Sequence, residues 1–139
     1  MRCSNVQSTN FGMAYRIGGN KADFIRHMNQ QSLPVITELN AQMKKAIEAL
    51  GTEKQSATKF ADVESYIAND KLFHNVYYRY PYLDNDGSVV YKKTKGTIIY
   101  EKLDDAVKEA LNMEKNLTEV DAQKKEQSKL IAQASQTAK

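Results

Sequence analysis

Residues 71–102 read KLFHNVYYRYPYLDNDGSVVYKKTKGTIIYEK, and the fold turns on how this stretch is paired. It carries Tyr77, Tyr78, Tyr80, Tyr82, Tyr91 and Tyr100, six of the chain's eight tyrosines. β-Branched and aromatic residues fill it, and these suit a pleated, half-buried surface. Two glycine-containing triplets punctuate it. Asn85-Asp86-Gly87, between Asp84 and Ser88, fits a type I turn closed by glycine in the left-handed region. Thr94-Lys95-Gly96, between Lys93 and Thr97, offers the same chemistry. With both triplets as corners, the stretch predicts an antiparallel three-strand meander over 72–101. Asp84 then faces Ser88, and Lys93 faces Thr97.

That register lines up Tyr82, Val90 and Tyr100 on one face, with Tyr78, Tyr80, Lys92 and Ile98. The other face collects Tyr77, Pro81, Leu83, Val89, Tyr91 and Ile99. Neither face is purely polar, so the pattern alone does not choose the core side. Pro81 has no N–H to give a ladder, which favours an edge position for its strand or a break in it there.

The flanks read as helical. Residues 10–17 (NFGMAYRI) alternate Phe11, Met13, Tyr15 and Ile17 with smaller or polar residues, a strand able to join the sheet as a fourth member. Gly18-Gly19 break it. Asn20 caps a helix over 21–31 with Asp23 in its first turn, burying Phe24, Ile25 and Met28. Pro34 suits the first turn of a second helix. Its stripe is Val35, Ile36, Leu39, Met43, Ala46, Ile47 and Leu50, and Gly51 ends it. Over 52–70 the spacing of Phe60, Val63, Tyr66 and Ile67 predicts a loop and then a short helix.

Asp104-Asp105 open a long helix to about residue 132, on the order of 40 Å at ~1.5 Å per residue. Ala106, Ala110, Met113, Leu117 and Val120 follow alternating steps of four and three, a short heptad seam. So long a helix exceeds the width of a small domain. The expected organisation is a single α+β domain over 1–120 and a projecting or frayed helical tail over 121–139. The expected fold class is α+β: an antiparallel sheet of three or four strands, helices packed on one face, and a long C-terminal helix.

The chain of 139 residues fits one domain. No apolar run reaches the roughly 18 residues of a membrane span, and MRCSNVQSTN lacks the apolar centre of a signal peptide. Cys3 is the one cysteine, which excludes an internal disulfide. A cytoplasmic location is therefore expected. The net charge of +3 is uneven, because residues 71–102 hold six basic residues against three acidic ones. That excess is far from the dense basic stripe of a typical DNA-binding domain.

No motif specifies a reaction. His27 and His74 are the only histidines and, with Cys3, give no zinc-type spacing, so no metal and no cofactor is expected. Asp84-Asn85-Asp86-Gly87 resembles part of a calcium loop, but Tyr82 and Lys93 stand where ligands belong. Gly18-Gly19-Asn20 could hold a phosphate on backbone N–H groups, yet it lacks the GxGxxG and Walker spacings and reads as a turn plus cap. Ser8, Ser56, Ser88 and Cys3 are possible nucleophiles, and none has a histidine beside it in sequence. Asp104-Asp105 read as a helix N-terminal turn rather than a catalytic pair.

Two surfaces remain. Tyr78, Arg79, Tyr80 and Tyr82 with Lys92, Lys93 and Lys95 form a candidate ligand surface. Aromatics there could stack bases while cations hold phosphate. The same residues also describe an ordinary sheet with tyrosine hydroxyls at its rim. Ala106, Ala110, Met113, Leu117 and Val120 form a candidate oligomer interface. The expected function is that of a small, soluble, non-catalytic binding or assembly protein, homo-oligomeric through its C-terminal helix, with no membrane partner. The alternatives are a binder of nucleotide, nucleic acid or peptide at the sheet, and an enzyme whose site is assembled from distant residues.

Overall fold

The structure, a computed structural model, describes residues 14–137. Its elements in chain order are β1 (Tyr15–Ile17), α1 (Lys21–Asn29), α2 (Leu33–Leu50), β2 (Ala61–Ala68), β3 (Lys71–Leu83), β4 (Val89–Tyr100) and α3 (Leu103–Thr137). The fold is α+β, with a four-stranded sheet in the order β1-β2-β3-β4 and a long C-terminal helix. The sheet is mixed rather than purely antiparallel, because β1 runs parallel to β2 while the other pairs are antiparallel. Two helices separate β1 from β2, and a crossover of that length is what a parallel pair requires. Of the strand expected over 10–17, residues 10–13 lie outside the described residues.

The three-strand meander exists, but it is built from 61–100 rather than from 72–101. Its first corner is as expected. Asp84 N–H donates to the Ser88 carbonyl at 3.0 Å and Gly87 N–H to the Asp84 carbonyl at 3.1 Å, with Gly87 at φ +85°. The second corner is absent, and β4 runs through Thr94-Lys95-Gly96 without turning. Across from Val76 the ladder shifts register, passing from Asn75↔Ile99 to Tyr77↔Lys95. The extra residues make a bulge, which an edge strand tolerates. Gly96 is needed there for space, since a Cβ would lie 2.9 Å from the Val76 carbonyl oxygen.

The missing strand comes from the segment expected to be a short helix. Residues 61–68 (ADVESYIA) pair along their whole length with β3, from Ala61↔Tyr78 to Ala68↔Lys71. The corner between them is Asn69-Asp70, at φ 51° and 61°. Asn and Asp are the side chains that best tolerate this left-handed region, and such a two-residue turn matches strand twist. Apolar positions at spacing three in this segment coexist with period-two alternation, and the cross-strand ladder wins.

The helices begin and end as their capping residues direct. Asn20 Oδ1 accepts from the Ala22 N–H at 2.8 Å, and Pro34 sits in the first turn of α2. Thr52 Oγ1 accepts from the Gln55 N–H at 3.2 Å, closing a turn. The core gathers Tyr15, Ala46, Leu50, Ala61, Val63, Val76, Leu103, Ala106 and Ala110, so α2 and α3 cover one face of the sheet. Contrary to expectation, α1 contributes no buried residue.

The side of the sheet that meets α3 changes along β3. At its start, even-numbered His74 and Val76 are buried and Tyr78 packs on the core. Farther on, odd-numbered Pro81 is buried while Tyr80 and Tyr82 are exposed. The ladder from Tyr77↔Lys95 to Leu83↔Val89 has no slip that would exchange the faces. Twist accounts for the change: β2 ends its pairing at Tyr78, and a two-stranded ribbon twists more than a sheet. From His74 to Gly87 the hairpin spans about 43 Å, and α3 from Leu103 to Ile131 spans about 42 Å. The two keep pace, and a Cβ at Gly87 would come 3.0 Å from Ile131 Cγ2.

Candidate functional site

Strand alternation divides the expected ligand surface. The register Tyr78↔Thr94, Tyr80↔Lys92 and Tyr82↔Val90 places Tyr78, Tyr80, Tyr82 and Lys92 on one face. Arg79↔Lys93 and Tyr77↔Lys95 place Arg79, Lys93 and Lys95 on the other. Tyr80 and Tyr82 are 43% and 41% exposed, with Lys92 as their one neighbouring cation from the expected set. Lys93 Nζ instead lies 5.4 Å from the Tyr77 ring centre. The Arg79 guanidinium sits 5.7 Å from the Tyr91 ring centre.

The expected oligomer seam is occupied within the chain. Ala106, Ala110 and Leu117 are buried, and Met113 packs against the same core. Val120 is half-buried beside Asp121. The heptad spacing coincides with the contacts by which α3 seats on its own sheet.

Beyond the seam, α3 and the hairpin enclose an open cleft of about 780 Å³ lined by the 56–60 segment, Arg79, Tyr91, Glu114, Thr118, Asp121 and Lys125. Its carboxylates are already engaged. Glu114 accepts from the backbone N–H groups of Lys59, Phe60 and Ala61 at 2.8–3.0 Å, which fixes the start of β2 against α3. Asp121 accepts from the Tyr91 hydroxyl at 2.7 Å and pairs with Lys125 at 3.0 Å. Burial first, and then the Asp121 carboxylate, push the Tyr91 hydroxyl up to about 12.

Two polar clusters went unseen in the sequence. On the outer face, Arg16 pairs with both Asp62 and Glu64 and lies 5.2 Å from the Tyr77 ring centre. Burial pushes the Asp62 carboxyl above its ordinary range, with Arg16 pulling the other way. On the inner face, Tyr15 donates to Ser65 Oγ at 2.7 Å, and Ser65 Oγ lies 2.6 Å from His74 Nδ1. Ser65 Oγ and His74 Nδ1 share one hydrogen bond, and the imidazole in it is neutral. Burial agrees, pushing His74 down to about 4 and Tyr15 up to about 12. Ser65 and His74 are cross-strand partners nine residues apart, which no local motif reveals. Hydroxyl and imidazole have the spacing of a nucleophile and its base, but Ser65 is 0% exposed and His74 2%. The trio therefore satisfies polar atoms inside the core.

Large apolar side chains stand outside instead. Ile25 on α1 and Leu33, Val35 and Ile47 on α2 are exposed, Leu33 to 74%. The described residues hold no group of three or more His, Cys, Asp or Glu side chains placed to bind a metal. No helix among them is long and apolar enough to cross a membrane. Neither a protein-family model, nor a curated protein, nor a solved structure matches this chain.

Proposed function

We propose that this chain is a non-catalytic assembly protein of the cytoplasm that associates with further copies of itself through the α1–α2 arm. One observation carries the reading: α1, a helix of nine residues, has no buried residue in the single chain. Helices this short are marginal in water and owe their persistence to packing. Ile25 on this helix, and Leu33 and Val35 at the start of α2, are large apolar side chains left exposed. The two helices carry charges of both signs, with Asp23, Glu38 and Glu48 among Lys21, Arg26, Lys44 and Lys45. Mixed charge is what a self-complementary two-fold interface needs.

Light scattering coupled to size exclusion at about 50 μM should report a dimer or larger, as expected for an affinity in the micromolar range. Leu33→Asp with Val35→Asp should give a monomer with an unchanged circular dichroism spectrum. A monomeric parent protein ends the reading.

A second reading, binding of a nucleotide or nucleic acid at the sheet, is favoured by the exposure of Tyr80 and Tyr82 beside Lys92. It expects oligonucleotide binding that weakens with salt and is lost in Tyr80→Ala with Tyr82→Ala. No binding at low salt removes it.

A further inference from the structure

The sheet order leaves β4, twelve residues long, as an edge, and no described strand pairs with its outer side. A long open edge is a template for another strand. We propose that the β4 edge takes an extended acidic peptide segment of a partner protein, added to the sheet as a fifth strand.

Backbone geometry supports the addition. The bond from Asp84 N–H to Ser88 starts an alternation that turns Val90, Lys92 and Thr94 toward β3. Arg79 N–H donates to the Phe60 carbonyl at 2.7 Å, on the β2 side, so its partner Lys93 is not hydrogen-bonded to β3. The N–H and C=O groups of Lys93 and Lys95 therefore face the open edge.

Charge selects the occupant. VVYKKTKGTIIY, the whole of β4, contains no carboxylate, and neither does its partner β3. Lys92, Lys93 and Lys95 are exposed and join none of the ion pairs among the described residues. A second β4 in this place would set lysines against lysines, which opposes a symmetric pairing. Lys92 lies on one face, and Lys93 and Lys95 lie on the other. An added strand, whose own side chains alternate, meets cations on both faces when it carries consecutive acids. A nucleic acid lying on a sheet uses a single face.

The probe is a blocked peptide of about ten residues with glutamate at three of four central positions between valines and threonines. Titrated into the labelled full chain at low salt, it should shift and protect the Lys93 and Lys95 amides, with a dissociation constant below about 1 mM. Methylating alternate peptide nitrogens on the bonding side should abolish binding. Lys92→Gln with Lys93→Gln and Lys95→Gln should weaken it by about tenfold or more. Unchanged affinity of the methylated peptide overturns strand addition without any protein variant. Absence of binding near 1 mM overturns it too, as does tighter binding of an oligonucleotide with shifts confined to Tyr80 and Tyr82.

Discussion

The two ends of β3 are the same strand with opposite insides. Near its start, between β2 and β4, His74 and Val76 point to α2 and α3 while Tyr77 faces the outer cluster of Arg16 and Asp62. Past Arg79, with only β4 beside it, Pro81 turns inward and Tyr80 and Tyr82 face water. Losing one neighbour frees the ribbon to twist, and twist exchanges the sides. A strand can thus be amphipathic at every point and yet show no polar face over its full length.

The sharpest break of this comparison uses two even-numbered residues. Val76→Asp places a carboxylate in the core beside Ala61 and Val63 and should cost about 3–5 kcal/mol, enough to abolish cooperative unfolding at 25 °C. Tyr82→Asp, on the same face of the same strand, should stay within about 1 kcal/mol. Urea denaturation followed by circular dichroism measures both. Equal losses would mean that the core side does not change.

The inner cluster gives the next largest effect. His74 is held down to about 4 by burial, whereas the unfolded chain titrates it at its ordinary 6.5. Between those values the unfolded chain binds the extra proton, so stability is complete above pH 6.5 and declines as pH falls toward 4. The whole difference is on the order of 3 kcal/mol. His74→Gln should flatten that segment of the stability–pH curve, measured as urea midpoints. A slope surviving in this variant would assign the titration elsewhere.

The distal half depends on a different contact. Tyr91→Phe removes the hydroxyl that donates to buried Asp121, leaving that carboxylate with Lys125. The expected loss is about 1–2 kcal/mol in urea unfolding. Amide exchange should rise in α3 beyond Asp121 while the region around Ala106 keeps its protection. Uniform loosening of α3 would contradict the division into two halves.

What the sequence shows most clearly is what local chemistry decides. Asn20 as a cap, Pro34 in a first turn and Gly87 in a left-handed corner each behave as their residue types require. Where two periods overlap, sequence misleads. Phe60, Val63, Tyr66 and Ile67 keep helical spacing, yet Ala61, Val63, Ser65 and Ile67 also alternate with Asp62, Glu64 and Tyr66. Only the distant ladder of β3 decides between them. The Ser65–His74 contact and the Arg16 pairings are illegible for the same reason, since they join strands that meet through tertiary structure. The seam on α3 was visible but ambiguous, because heptad spacing does not say whether the facing surface belongs to the same chain.

The two glycines of the hairpin test that distinction at the smallest scale. Gly87 is required for its backbone angle, so Gly87→Ala should cost about 1 kcal/mol. Asparagine enters the left-handed region more readily, and Gly87→Asn should recover part of the loss. Gly96 is required for the room beside the Val76 carbonyl, where any Cβ intrudes. Gly96→Asn should therefore be no better than Gly96→Ala, both losing about 1 kcal/mol in thermal or urea unfolding. Rescue by asparagine at 96 would restore the corner at Thr94-Lys95-Gly96 and shorten β4. The open edge would shorten with it, since its exposed backbone groups depend on the strand passing straight through that glycine.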